Sequence, residues 1–302
     1  MSDVLPLVSV CIQTYQHESY IAQCLDSVLH QSTTFNYEII LGEDASTDGT
    51  RAICKAYTQN FPDKIRLFLR QRKDVIFMNG LATGRYNFIQ NLKSSRGKYI
   101  AILDGDDYWT DPFKLQKQVD FLESQSDYSI CWTKYKILEG DTIQLPDWAD
   151  SLFTTPSYEI TYDNFSSPYC THTLSCMFRA SAFTYRDILR FRFFKDNSLY
   201  LTCLQVGKGA VLNFYGGVYR KHDQGIYSLA SDYQQAISNY SNYEELLVLL
   251  PECSVPNIIG KRDNWYAQFL KTLYARPIPK FKKWWIRGKL LLYFSYLKLR
   301  YS

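Results

Sequence analysis

Glycine is missing where phosphate-cradling folds need it. Residues 13–18, which follow the first apolar run, contain none. Folds that hold a dinucleotide or a triphosphate on a backbone loop place glycines there, because only glycine lets the chain approach the phosphates closely. The absence argues against a dinucleotide oxidoreductase and against a sugar nucleotidyltransferase. No apolar segment approaches the ~20 residues that span a bilayer, and residues 1–6 lead straight into a strand-like run with no leader pattern. The eight cysteines are scattered, with no pair at zinc-ligand or redox spacing. They read as small buried hydrophobes of a reducing compartment. Net charge is only +4, which is no nucleic-acid signature. Repeats and low-complexity tracts are absent. The expectation is a cytoplasmic globular protein with no nucleic-acid partner.

What is present is a large aromatic share, 25 Tyr and 18 Phe in 302 residues, and a regular alternation. Apolar runs at 7–12, 37–41, 65–69 and 99–103 read as buried strands. Between them, residues such as Ile21, Leu25 and Val28 recur at helical spacing. Such alternation predicts a parallel sheet covered by helices, with right-handed crossovers that bring the loops after each strand to one edge. The loops at Thr14, Asp44 and Asp106 are therefore expected to share a crevice. The fourth strand ends in Asp104-Gly105-Asp106-Asp107. Asp-Gly is a common turn pair and Asp a common helix cap, yet neither role needs three carboxylates directly after a buried strand. Close carboxylates repel unless something positive sits between them, and a hard divalent cation takes oxygen ligands.

Three segments together resemble a known family. The runs 7–15 (LVSVCIQTY), 43–50 (EDASTDGT) and 103–109 (LDGDDYW) are similar to family 2 glycosyltransferases, in that order and at fitting spacing. The resemblance covers residues 6–228 and is densest up to Leu122. It implies the GT-A fold, an α/β, Rossmann-like and mostly parallel sheet flanked by helices, and an inverting transfer from a nucleotide-diphosphate sugar, a UDP-sugar first, to an acceptor hydroxyl in surface polysaccharide or related glycan synthesis. It places Thr14 and Tyr15 beside the base, and Glu43 and Asp44 at base and ribose. Asp104 and Asp106 match the Asp-x-Asp motif that holds Mg²⁺ or Mn²⁺, with Asp104 also near the ribose. Asp196 falls where the family has its catalytic base; its bland alternative is a helix cap with the helix starting at Asn197. Arg70, Arg72 and Arg85 are candidate basic contacts, and His222, among basic residues just past a strand, is a candidate for the diphosphate or the metal. A catalytically dead glycan-binding relative would be expected to have lost Asp106 or Asp196, and both are present.

The rest of the chain divides at 228. Residues 139–168 read as a long loop beside the acceptor, 171–179 as one strand, and 210–215 and 218–221 as two. From Ser231 the pattern is helical, giving a catalytic domain 1–228 and a helical C-terminal region 229–302. Its last segment interleaves Lys280, Lys282, Lys283, Arg287 and Lys289 with Trp284 and Trp285. That mixture suits the headgroup region of an anionic leaflet, although the charges do not fall on one helical face. A lipid-linked glycan acceptor and peripheral contact with the inner face of the cell membrane are the corresponding expectations.

Overall fold

The computed structural model of the protein describes residues 5–78, 80–149, 151–165, 170–223, 225 and 229–301. Strands β1 (Val8–Thr14), β2 (Tyr37–Glu43), β3 (Ile65–Leu69) and β4 (Tyr99–Asp104) pair in parallel in the order β3-β2-β1-β4. Helices α1 (Ile21–Leu29), α2 (Thr50–Asn60) and α3 (Arg85–Ser94) connect them. The expected alternation is therefore present. Both faces of the sheet are covered, which is why the strands are largely apolar: Cys11, Ile40, Ile100 and Ile102 point into one core, and Val10, Ile12, Ile39, Leu41 and Leu103 into the other.

Beyond Asp104 the sheet becomes mixed. After α4 (Lys114–Ser124) come β5 (Tyr128–Glu139), β6 (Ser157–Ile160), β7 (Met177–Arg179) and β8 (Lys208–Lys221). The full order is β6-β8-β5-β7-β4-β1-β2-β3. Strand β7 runs antiparallel to both β4 and β5 and bridges the two halves. Several expectations change here. The strand expected over 171–179 is broken by a 3₁₀ turn at Thr173–Ser175. The two strands expected over 210–221 are one, bent by bulges near Leu212 and Tyr215. The loop expected over 139–168 carries β6 and the short strand Thr142–Gln144. Strands β6 and β7 pair with partners distant in sequence, and Thr142–Gln144 is a three-residue hairpin arm, so local periodicity carried little trace of them.

Helices α5 (Tyr185–Arg190) and α6 (Asp196–Leu204) precede β8, and α7 (Asp232–Leu249), α8 (Pro256–Ala275) and α9 (Lys280–Tyr301) follow it. The C-terminal helices share the first core: Tyr240, Leu246, Phe269, Phe294 and Leu297 lie in the same cluster as Trp132 and Phe178 of the sheet. All eight cysteines are buried and free.

One ionic knot pins the start of β4 to β1 and β2. Glu38, 4% exposed, accepts hydrogen bonds from Ser9 Oγ (2.7 Å), Arg96 Nη2 (2.8 Å) and Arg66 Nη1 (3.0 Å). Ser9 Oγ in turn accepts from the Arg96 and Gly97 amides. Burial alone would raise the Glu38 pKa, but these hydrogen bonds outweigh it and hold it below the ordinary glutamate value. A carboxylate with a depressed folded-state pKa contributes stability above its unfolded pKa, about 4.3, and loses it as pH falls through the folded value. Because the two arginines are over a third exposed, the expected cost of Glu38→Ala is about 2 kcal/mol, between the values for exposed and buried pairs. In urea melts, wild type should approach the variant's stability as pH drops below about 4; a constant difference between pH 7 and pH 3 would contradict this role.

Candidate active site

The parallel strands β1, β2, β3 and β4 end at one edge, and their pairing runs one residue into each loop. The Asp44 amide donates to Thr14 O (3.0 Å), the Gly105 amide to Gln13 O (2.9 Å) and the Arg70 amide to Glu43 O (2.8 Å). The loops after the strands therefore converge on a shared crevice, as expected. Gly105 is required by this closeness, since a Cβ there would lie 2.7 Å from Thr14 Oγ1 and 2.9 Å from His17 Nδ1.

The three carboxylates of this edge are in three different states. Asp104 accepts from Gln13 Nε2 (2.8 Å) and Thr173 Oγ1 (3.1 Å); burial, together with the charges of Asp106 and Asp196, pushes its pKa up to about 7. Asp107 is buried and its pKa is raised well above the ordinary value, first by burial and then by its two neighbours. Its Oδ1 accepts from the Arg220 amide (2.8 Å) and so ties β8 to this loop. Asp106 differs. Burial would raise its pKa, but a hydrogen bond with His222 Nε2 (3.0 Å) and the nearby His17 (3.6 Å) outweigh that and hold it low. With 19% of its side chain exposed, Asp106 is the charged, accessible member of the set.

His17, whose pKa burial lowers, lies beyond the reach of sequence reading, because its partner Asp106 is far along the chain. The same holds for Arg220, which donates to Asp106 O (2.9 Å) and lies over Tyr20, its guanidinium 4.7 Å from the ring. His172 is half-buried, with its pKa lowered to about 4 by desolvation, and packs against Tyr135 and Tyr219.

On the other side of the crevice Arg72 connects two of the expected residues. Its guanidinium lies 4.2 Å from the centre of the Tyr15 ring and donates to Asp44 Oδ2 (2.9 Å). Burial raises the Asp44 pKa, partly offset by Arg72. Three buried polar atoms here have no hydrogen-bond partner among the described residues: Gln13 Oε1, Thr14 Oγ1 and Asp44 Oδ1. Unpaired buried polar atoms are costly, and together at a strand-end crevice they mark a place for a polar ligand. Two of the expected contact residues have partners inside the fold. Glu43 is fully buried and both its oxygens are used, one by the Ser46 amide (2.6 Å) and one by Arg51, so it braces the loop after β2. Arg85 is also spent, donating to the carbonyls of Ile188, Phe191 and Arg192 at the end of α5. Backbone strain accompanies these loops: Gln16 and Ala45 have φ of 58° and 59°. The Gln16 side chain holds the two loops together through Thr47.

Asp196 is the first residue of α6, one position before the start expected from the sequence, with Lys195 at the cap position. It opens to solvent on one side, yet protein crowds it closely enough that burial raises its pKa, with Lys195 partly offsetting the rise. Its charge is felt at Asp104. One face of α7 holds this loop in place. Asn242 Nδ2 donates to Phe193 O (2.9 Å) and Ser198 Oγ (2.8 Å). Glu245 accepts from the amides of Arg192 (2.8 Å) and Phe193 (2.7 Å) and from Tyr293 Oη (3.0 Å). Asn239 accepts from Lys195 Nζ. The spacing of 239, 242 and 245 is a helical face, a signal present in the sequence but silent without its distant partner.

Among the described residues no three His, Cys, Asp or Glu side chains form a ready-made metal cage. The donor set nevertheless fits a hard divalent cation of the kind that takes one or two carboxylates and completes its shell with phosphate oxygens and water: Asp106 is charged and accessible, and Asp104, whose pKa burial and then the neighbouring acids raise, would be ionised beside a cation.

Comparisons with known proteins bear on the family and the fold. Residues 9–185 match the family described as Glycosyl transferase family 2. An uncharacterized protein of Mycobacterium tuberculosis is 32% identical over 225 residues, 74% of this chain and 61% of its own length. The chain thus spans about three-fifths of that relative. EpsE of Bacillus subtilis, provisionally described as a glycosyltransferase, is 34% identical over 67% of this chain and 68% of its own. TuaG of the same organism, provisionally described as a teichuronic acid biosynthesis glycosyltransferase, is 32% identical over 54% of this chain and 58% of its own. Among solved structures, S. aureus TarS with UDP-GlcNAc superposes with a TM-score of 0.60 at 21% identity, covering 87% of this chain and 71% of that one. The Pyrobaculum calidifontis mannosyltransferase PcManGT with GDP-Man and Mn²⁺ gives 0.54 at 15%, covering 98% and 84%. At those identities the likeness is one of fold.

The α7 brace has a measurable consequence. Glu245→Leu would leave the Arg192 and Phe193 amides unpaired, each costing ~1–3 kcal/mol. A loss of about 2–4 kcal/mol in chemical denaturation is expected, whereas an exposed change such as Glu252→Leu should cost well under 1 kcal/mol. Equal stability of the two variants would contradict the brace.

Proposed function

The chain belongs to glycosyl transferase family 2, and on that premise we propose that it moves a sugar from a nucleotide-diphosphate donor to an acceptor hydroxyl with inversion at the anomeric carbon. One observation carries the reading: a charged, accessible carboxylate, Asp106, is held by His222 (3.0 Å) and faced by His17 (3.6 Å) at the edge where unpartnered buried oxygens of Thr14 and Asp44 also lie, and a separate carboxylate, Asp196, stands at a helix start. A transfer of this kind needs a place for the departing diphosphate and a base for the acceptor, on different groups.

The nucleotide is read into the crevice between β1 and β2. Tyr15, backed by Arg72, offers a face for the base, and the unpartnered oxygens of Thr14 and Asp44 offer hydrogen bonds to base and ribose. A UDP-sugar is the first choice; the complexes of TarS with UDP-GlcNAc and of PcManGT with GDP-Man support a nucleotide sugar. Asp106 and Asp104 would hold Mg²⁺ or Mn²⁺, which supplies Lewis-acid stabilisation of the charge gained by the diphosphate. His222 keeps Asp106 ionised and oriented. The transition state has oxocarbenium character like that of glycoside hydrolysis. On the acceptor side Asp196 takes the hydroxyl proton; its raised pKa moves it toward the operating pH, where a general base works best. The oxygen attacks the anomeric carbon as the bond to the diphosphate breaks, and the α7 brace holds Asp196 at its station throughout.

The names of EpsE and TuaG support a surface glycan as product. We read the acceptor as a glycan or lipid-linked glycan, met at the inner face of the cell membrane by peripheral contact through the basic, Trp-containing helix α9. No helix among the described residues is long and apolar enough to cross a membrane.

Two substitutions test the assignment. Asp196→Asn is expected to lower kcat by ~10²-fold or more with UDP affinity unchanged. The acid limb of the wild-type rate profile should lie above the ordinary aspartate range, because the base is lost as pH falls through its raised pKa, and the variant should lack that limb. An unchanged kcat would remove Asp196 from the chemistry. Asp106→Asn is expected to abolish Mn²⁺ binding in calorimetric titration of the UDP-bound protein while circular dichroism stays native. An unaltered Mn²⁺ titration would remove Asp106 from the cation site.

A further inference from the structure

Helix α9 has two apolar faces on opposite sides. At 100° per residue, Ile286, Leu290, Tyr293, Phe294 and Leu297 form one face and pack into the protein core. The other comprises Phe281, Trp284, Trp285, Leu292 and Leu299, exposed by 69, 71, 60, 73 and 82%. Cations border this outer face on both sides: Arg287 along one edge, and Lys282, Lys289 and Arg300 along the other, all exposed. None of these four has a carboxylate partner among the described residues. The absence of a clean polar face, noted from the sequence, is thus explained: two opposed apolar stripes leave only the flanks for charge.

A helix that is apolar on both sides is buried on both. The core covers one side, and we propose that an anionic lipid leaflet covers the other, with α9 lying flat and the outer residues seated among the acyl chains. This deepens the peripheral location proposed above, on which it rests, by naming the surface and its partner. Tryptophans with flanking Lys and Arg are the composition of interfacial helices, and 22 residues at 1.5 Å each give a contact line of about 33 Å. A second copy of the chain is a poor partner. An isologous contact would bring the cations at the edges of this face against those of the second copy, and like charges across an interface oppose association. Anionic headgroups would neutralise both rows at once.

The placement has a consequence for the site. A recess of about 440 Å³ lined by Arg192, Phe193, Trp285, Lys289 and Tyr293 opens at the edge of the outer face. Arg192 and Phe193 lead within a few residues to Asp196. Seating α9 on the leaflet therefore brings the loop that carries the base close to headgroup level, where a lipid-linked hydroxyl would arrive.

The test is co-sedimentation of the full chain with phosphatidylcholine vesicles, with and without phosphatidylglycerol, alongside Trp fluorescence. Wild type is expected to partition strongly onto the anionic vesicles with a blue-shifted emission, and to be released as salt rises and the Debye length shortens. The double variant Trp284→Glu/Leu292→Glu removes apolar contact at two exposed positions. The triple variant Lys282→Gln/Arg287→Gln/Lys289→Gln should lower anionic-vesicle partitioning by roughly 100-fold, about fivefold per cation. Both should keep the wild-type melting temperature and the wild-type rate of donor hydrolysis in lipid-free buffer. Equal partitioning of wild type and both variants, or equal binding to neutral and anionic vesicles, would overturn the proposal. So would a dimer that the double variant dissolves in the absence of vesicle binding, which would assign the face to a second copy. Hydrolysis of no donor by wild type would count against the transferase reading and leave the vesicle result to judge this surface on its own.

Discussion

Mutual repulsion among three carboxylates at the end of one buried strand is the constraint on which the site depends. Asp104, Asp106 and Asp107 cannot all be charged in a crowded crevice without compensation. The fold meets the problem unequally. Asp107 is buried against the Arg220 amide, Asp104 is hydrogen-bonded by Gln13 and Thr173 with its pKa pushed to about 7, and Asp106 is kept ionised by two histidines. One accessible negative charge results, in a place where a cation would be welcome. The arrangement also ties elements together: β8 is fixed to the loop after β4 through Arg220, and the 3₁₀ turn before β7 through Thr173.

The second half of the machinery is held by a different kind of contact. The loop before Asp196 has its backbone amides and carbonyl satisfied by Glu245 and Asn242 of α7, and Glu245 also receives Tyr293 of α9. The C-terminal helices are therefore part of the support for the proposed base. Buried polar groups of this kind specify one arrangement, because any alternative leaves them unpaired. The same helix that completes this support turns its outer apolar residues, such as Trp284 and Leu292, away from the protein.

What the sequence determined by itself is what short-range pattern can encode. Strands 8–14, 37–43 and 99–104 were legible because both their faces are buried, which favours apolar runs, and 65–69, at the sheet edge and partly exposed, because most of its residues are apolar all the same. The helices between them were legible from the recurrence of residues such as Ile21, Leu25 and Val28, and the crevice from the rule that parallel strands deliver their C-terminal ends to one edge. The acidic run 104–107 was conspicuous because nothing else explains three carboxylates after a buried strand.

Only the tertiary structure decided which of those acids is charged, since His17 and His222 reach Asp106 from opposite ends of the chain. It spent Glu43 and Arg85 on internal contacts that no local pattern discloses. It placed a three-residue strand, β7, antiparallel between β4 and β5, where pairing partners rather than propensity fix the conformation. It also sorted α9 into an inner and an outer apolar face, because hydrophobicity along a helix records that a face is buried but not what buries it. The physical reason is common to all four. Periodicity reports a residue's relation to its neighbours in the chain, whereas charge state, hydrogen-bond satisfaction and the identity of a packing partner depend on groups brought near only when the chain has folded.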